Sequence, residues 1–403
     1  MRALYLIMFT ILCAALVSGC WNRRELNELA VSVAVGVDKK NDGIRLSDQV
    51  LNVEAISGQK GSSGAYAPVN LFQETGQSFQ EAARKMTRKS SRKIYVGQLQ
   101  MLVFGEDFAR GGVAKVLDHI SRDHEYRSDF LVIVARETEA RDVLKVFTPL
   151  DKTPATKLKH SLEVSSIAWG VTTAVQFREF TSNVISKGKE AVLTGVNIVG
   201  SRKIGNTSKN VARIFPSAGL VYAGLAVFKK DKLMGWLNEE ESFGYNFTQG
   251  NIKSAVLLQP CSEEDSDHRA ISVELLRTKT KMKALLEDGN PIVSISVKGD
   301  GVVTDAQCAL DFTSPSTVDR VERGVEEQIK SHIASTVRIV QMRYNSDIFG
   351  FGELFERKYP GYWKKSIGDW DAVFPTIQVR IQPNISVKQM YKTTKSIEER
   401  MKG

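Results

Sequence analysis

The 403-residue chain is 42% hydrophobic, 25% charged and 8% aromatic, a composition that excludes a disordered tail and a multi-span membrane protein. Its 55 Lys and Arg against 46 Asp and Glu leave a formal charge of +9, which suits an anionic membrane surface at least as well as nucleic acid. Cys13, Cys20, Cys261 and Cys308 form no CxxC pair, so zinc-ribbon and thioredoxin-type chemistry lack their motif.

Arg2 is followed by an almost unbroken apolar run from Ala3 to Val17, then Ser18, Gly19 and Cys20. At ~1.5 Å per residue that run spans roughly 22 Å, short of the ~30 Å hydrocarbon core of a bilayer. Residues 1–19 are therefore expected to be a cleaved export signal. Val17-Ser18-Gly19-Cys20 has the shape of a bacterial lipoprotein cleavage site. Small side chains admit the peptidase, and the Cys20 thiol takes a diacylglyceryl group through a thioether, after which the freed amine can be acylated. Two acyl chains, at ~0.8 kcal/mol per buried CH2, hold a protein on a membrane far more firmly than one. The competing reading is an ordinary signal or uncleaved anchor with an incidental cysteine. Outside the membrane, Cys261 and Cys308 are either a disulfide or two separate buried thiols, and their neighbours do not decide between the two.

Past Cys20, Val31 to Val37 is a β-rich run, and Asn41-Asp42-Gly43 predicts a hairpin into a second strand from Ile44 to Ile56. Gly58 to Ala67 reads as a Gly/Ser loop. Ser78 with Glu81 forms a capping-box signal for a helix running to Lys93, with Phe79, Ala82, Ala83 and Met86 inward. Arg84, Lys85, Arg88, Lys89, Arg92 and Lys93 lie on its other face. That basic face can be solvated, can meet anionic lipid heads at ~1 kcal/mol per residue, or can meet a protein partner. Nucleic acid is disfavoured, since no aromatic platform interleaves the charges. Next come a strand at Ile94 to Phe104, a helix at Glu106 to Asp123, a strand at Asp129 to Ala135, and helices at Thr138 to Phe147, Lys157 to Trp169 and Thr173 to Lys187.

From Ala191 the pattern turns to strands, with a hairpin tip at Lys229-Lys230-Asp231-Lys232. Strands at Ile271 to Lys279 and Pro291 to Val297 precede a long helix opened by Pro315, whose stripe is Val318, Val321, Val325, Ile329, Ile333, Val337 and Val340. Ile377, Val379 and Ile381 predict a last strand. The fold class is α+β with three consecutive mixed domains: an N-terminal α/β domain at 20–187, a smaller β-rich one at 188–259 and a C-terminal α/β domain at 260–403 carrying the long helix.

Catalytic frames are present only as near misses. His124-Glu125-Tyr126-Arg127-Ser128 begins like HExxH but has Ser at the second ligand position. Gly350-Phe351-Gly352 and Gly299-Asp300-Gly301 lack the third glycine of a phosphate-cradling turn, and no GxxxxGK[ST] or GxSxG occurs. His119, His124, His160, His268 and His332 stand singly. The expectation is a non-enzymatic protein with no cofactor, no catalytic residue and no metal site.

Several stretches, in order, resemble the Ger(x)C family, the lipoprotein C subunits of the nutrient germinant receptors of spore-forming bacteria. They are Gly19 to Leu26 (GCWNRREL), Gly97 to Glu106 (GQLQMLVFGE) with Ser121-Arg122-Asp123, Asp347 to Glu353 (DIFGFGE), Arg357 to Pro360 with Trp363, and Trp370-Asp371 with Phe374-Pro375. The resemblance implies lipidation at Cys20, a place on the outer face of the spore inner membrane, and assembly with integral membrane A and B subunits into a receptor that triggers germination in response to small nutrients. It also implies three α/β domains and no catalytic activity. The aromatic run Phe349, Phe351, Phe355, Tyr359, Tyr362, Trp363, Trp370 and Phe374 is either a core cap under the long helix or, if partly exposed, a partner surface. The rival reading is a solute-binding lipoprotein delivering a nutrient to a transporter, which calls for two similar lobes and a deep interdomain cleft of roughly 300–1,000 Å³.

Overall fold

The computed structural model describes residues 2–5, 7–9, 25–57, 66–261, 270–308, 311–312 and 314–388. The lipoprotein site at Cys20, the Gly/Ser loop from Gly58 and the charged end of the chain from Lys392 lie outside or partly outside those residues.

Thirteen strands build two sheets among the described residues. They are β1 (Leu29–Lys40), β2 (Gly43–Leu51), β3 (Val69–Gly76), β4 (Lys93–Tyr95), β5 (Met101–Gly105), β6 (Leu131–Ala135), β7 (Val192–Gly200), β8 (Ala218–Lys229), β9 (Lys232–Leu237), β10 (Ala255–Pro260), β11 (Ala270–Glu287), β12 (Asn290–Ala306) and β13 (Gln378–Lys388). The first sheet runs β3-β2-β1-β5-β6-β7-β8-β9, with β4 added beside β1, and the second runs β10-β11-β12-β13.

In the first sheet β1, β5, β6 and β7 are parallel neighbours, while β2, β3, β8 and β9 add antiparallel flanks. A parallel centre covered on both faces demands unbroken apolar runs. Met101 to Gly105 and Leu131 to Ala135 supply them, and every residue of both strands is buried. One face packs beneath the helices Phe79–Met86, Ala114–Arg122 and Phe177–Ile185, the other beneath Ala140–Val143 and Pro154–Ala168. The stretch 188–259, expected as a separate β-rich domain, does not stand apart as a sheet. Its strands β7 to β9 extend the first sheet, because β7 pairs parallel with β6. It also holds the helix Glu239–Gln249, which the strand-like reading missed although Asn238 and Glu241 form a full capping box.

Several helix boundaries differ from expectation, the helix expected over Thr138 to Phe147 shrinking to Ala140–Val143, and two of them have a clear local reason. The helix expected over Glu106 to Asp123 is two helices, Glu106–Gly111 and Ala114–Arg122, because Gly112 sits at φ +113, outside helical geometry. The helix from Phe79 ends at Met86, capped by the Thr87 N–H on the Arg84 and Lys85 carbonyls, which frees Lys93–Tyr95 to pair with β1 as β4.

The long helix Pro315–Ile339 buries Val321, Val325, Ile329, Ile333 and Val337 of the stripe read from the sequence, with Val318 half-buried and Val340 buried just past its end. Together with Glu239–Gln249 it lines a core that holds residues of all four strands of the second sheet and also Val192, Leu225, Val227 and Leu237 of the first. Cys261 and Cys308 form a disulfide in this core with Cα atoms 6.2 Å apart, which decides the open alternative in favour of the bridge.

Candidate functional site

The aromatic segment joins the two sheets. Phe349, Phe351, Phe355, Trp363, Trp370 and Phe374 are buried, with Tyr359 and Tyr362 packed partly buried against the same core. Phe349 stacks on Phe351 at 5.1 Å, and Trp363 meets Trp370 edge-on at 4.9 Å. The segment is thus a core cap, and its buried rings offer no partner surface.

At its centre, fully buried Asp347 accepts hydrogen bonds from the backbone N–H groups of Gly350 (3.0 Å), Phe351 (3.0 Å) and Gly352 (2.8 Å) and from the Trp370 indole (3.1 Å). Burial pushes its carboxyl up to about 6, against the pull of those four donors. The fold of Asp347 to Glu353 follows from that carboxylate, which gathers the first N–H groups of the helix Phe351–Lys358.

The same loop clasps the first sheet. Glu190 N–H donates to the Asp347 carbonyl (2.8 Å), Glu353 N–H to the Gly188 carbonyl (3.1 Å), and the Ser346 hydroxyl to the Phe228 carbonyl (2.6 Å). Only glycines permit this approach: a Cβ on Gly352 would lie 2.6 Å from the Gly188 Cα. Beside the clasp, Lys229 pairs with Asp371 at 2.9 Å, and Glu190 is pushed up to about 7, chiefly by burial.

The basic face is largely neutralised. Lys85 pairs with Glu81 (2.6 Å), Lys89 and Arg88 with Glu74 (3.0 and 3.6 Å), and Lys93 with Glu125. Those pairings offset much of the charge of the patch. Arg84 and Arg92 have no ion pair among the described residues, and both line a cavity of about 560 Å³ beneath the helix Phe79–Met86. Sequence reading missed this cavity, because Asp48 comes from β2, separated in the chain from the basic run by β3 and the segment before it.

Of the described histidines, His119 and His124 line the same cavity while His160 and His332 lie elsewhere. His119 stacks against Phe79 at 4.7 Å, His160 meets Asp151 at 3.1 Å, and His332 is held low by burial against Phe243. No group of three metal-ligating side chains occurs among the described residues, and no helix among them is long and apolar enough to cross a membrane.

These features define a two-sheet α+β protein organised around a buried joint. The chain belongs to the Ger(x)C spore germination family. The family model described as "Spore germination protein N-terminal domain" matches residues 22–198, and "Spore germination B3/ GerAC like, C-terminal" matches residues 223–391. Curated relatives run the whole length. Spore germination protein KC of Bacillus subtilis (strain 168) is 27% identical, covering 96% of each chain, and spore germination protein B3 of the same organism is 26% identical over 91% of this chain and 92% of its own. Among solved structures, the crystal structure of the GerBC protein superposes with a TM-score of 0.56 at 22% identity, over 88% of this chain and 96% of that one. That likeness bears on the fold. The two family models part between residues 198 and 223, within the stretch where β7 hands over to β8 inside one sheet.

Proposed function

We propose that the chain is a non-enzymatic, lipid-anchored subunit of a spore nutrient receptor, held at the outer face of the spore inner membrane and assembled there with integral membrane A and B subunits. The observation that carries this reading is the end-to-end match, over 96% of both chains, to a spore germination protein. Cys20 is the anchor, and the mechanism is tethering. Confinement to the membrane plane raises the effective concentration of the partners, so modest interfaces suffice to keep the receptor assembled. The buried joint at Asp347 supports a structural body: its carboxylate is taken up by three backbone N–H groups and the Trp370 indole.

The solute-binding rival asks for two similar lobes with a cleft between them. Here the sheets differ in size and strand order, and the cavity lined by Asp48, Arg84 and Arg92 lies within the first sheet's own helical layer, which favours the receptor reading. The test is Cys20→Ala in the spore-forming host. The expected result is a protein released from the membrane fraction and a fall in nutrient-triggered germination. A variant that stays membrane-bound and germinates at the normal rate overturns the anchoring.

A further inference from the structure

We propose that the cavity between β2 and the helix Phe79–Met86 is a binding site for a small zwitterion, with its protonated amine held against Asp48 and its acid group turned toward Arg84 and Arg92. The inference stands apart from the receptor reading, since a chain can anchor and assemble with this cavity empty.

The argument begins with alternation along β2. Leu46, Asp48 and Val50 point to one face of the sheet, and Leu46 belongs to the apolar layer under Phe79, Ala82 and Met86. Asp48 therefore places a carboxylate where its neighbours place hydrocarbon. It is 4% exposed, and its Oδ1 has no hydrogen-bond partner among the described residues. The nearby Ser32 hydroxyl likewise makes no bond of good geometry. A buried carboxylate left in this state is costly, and burial pushes its carboxyl up to about 7, opposed only by Ser32. Elsewhere in the same sheet the fold meets such a demand: Asp38, also buried, accepts the N–H groups of Ala140 (2.6 Å) and Arg141 (3.1 Å).

The rest of the lining is complementary. Phe79 stands between His119 (4.7 Å) and the ring of Tyr126 (6.5 Å, edge-on), giving the floor aromatic walls. Aromatic faces attract ammonium groups within about 6 Å. Tyr126 lines the same cavity as Asp48, and its hydroxyl is held far above its usual range, first by burial and then by the charge of Asp48. At the rim, Arg84 and Arg92 are exposed and carry no ion pair, while the four other cations of the patch are paired. Neither guanidinium comes within ion-pair distance of Asp48, although all three line one cavity.

Lys93, Asp123 and Glu125 line the same cavity, but Lys93 pairs with Glu125 and Asp123 accepts the Glu125 N–H, so the charges left unanswered are Asp48 on one side and Arg84 and Arg92 on the other. The gap between them decides the ligand class. An anion alone satisfies the arginines and is repelled by the floor. A cation alone satisfies Asp48 and leaves the rim unanswered. A molecule carrying both charges answers both ends, and about 560 Å³ is within the ordinary range for small-molecule pockets.

The test uses the full-length chain in a nonionic detergent and isothermal titration with each of the twenty standard α-amino acids. At least one is expected to bind saturably, and its N-acetyl and carboxamide derivatives are expected to bind at least tenfold more weakly. Asp48→Asn, with folding checked by circular dichroism, is expected to weaken that binding at least tenfold. The exposed double variant Arg84→Ala/Arg92→Ala does the same without touching the core, and so provides an independent reading if Asp48→Asn folds poorly. Failure of all twenty to bind overturns the proposal. So does a binder indifferent to both variants, or one whose N-acetyl form binds equally well, which marks a simple anion site.

Discussion

Two buried aspartates, Asp347 between the sheets and Asp48 inside the first, present the same side chain to opposite surroundings. Asp347 receives four hydrogen bonds, three from backbone and one from an indole. Asp48 has an oxygen with none, and a cavity beside it. Burial raises both, to about 6 and about 7 respectively, so the shift alone does not separate them. What separates them is where the missing donors are. At the joint they are supplied by the chain itself, and the acid serves the fold; in the cavity they are left to whatever enters.

That contrast sets the order of the expected effects. Asp347→Ala strips partners from three buried N–H groups and the Trp370 indole, and is expected to cost about 3 kcal/mol or more in urea unfolding. A loss under ~1 kcal/mol would place the strength of the joint elsewhere. Next, removing the Cys261–Cys308 bridge, whose ends are 47 residues apart, is expected to cost about 2–4 kcal/mol, read as a shift in melting temperature on reduction or in the Cys261→Ala/Cys308→Ala variant.

Asp48→Asn should move stability in the other direction. A carboxyl raised from 3.8 to about 7 on folding favours the native state below its unfolded value and loses that contribution as pH climbs through the folded one. The variant is therefore expected to be more stable than the parent by about 1–3 kcal/mol at pH 8 and nearly equal to it at pH 4. Parallel stability curves across that window would mean that Asp48 is satisfied after all. The smallest effect belongs to the surface: Lys85→Ala breaks an exposed pair with Glu81 and should change stability by no more than ~0.5 kcal/mol.

Periodic features were legible before the structure. The Asn41-Asp42-Gly43 turn joins β1 and β2 with Asn41 at φ 48, and the long helix buries most of its expected stripe. Ser78 caps its helix by accepting from the Glu81 N–H at 3.2 Å, although the Glu81 carboxylate reaches Gln77 N–H rather than closing the box on Ser78. The assignment of β7 to β9 was harder, because a strand's own residues do not say which sheet it joins. β11 and β12 outran their apolar cores for a related reason. Past Lys279, β11 runs on to Glu287 and the turn at Asp288 and Gly289, while past Val297 β12 runs on to Ala306 at the far end of the hairpin, each strand held by pairing with the other. The cavity was the least visible feature. Asp48 and Arg84 are 36 positions apart in the sequence, and only pairing of β2 with β1 and β3 under the helix brings them to one place.

β1 enters the middle of the larger sheet at Leu29, nine positions after Cys20. Nine residues reach at most ~30 Å when drawn straight, so the lipid proposed at that cysteine would keep the body on a short leash. Because β1 pairs with β4 over Leu29–Val31 and then with β2 and β5 further along, the leash would end in the larger sheet. Any tug or tilt at the bilayer would then reorient both sheets together, as a lever turns about its fixed end.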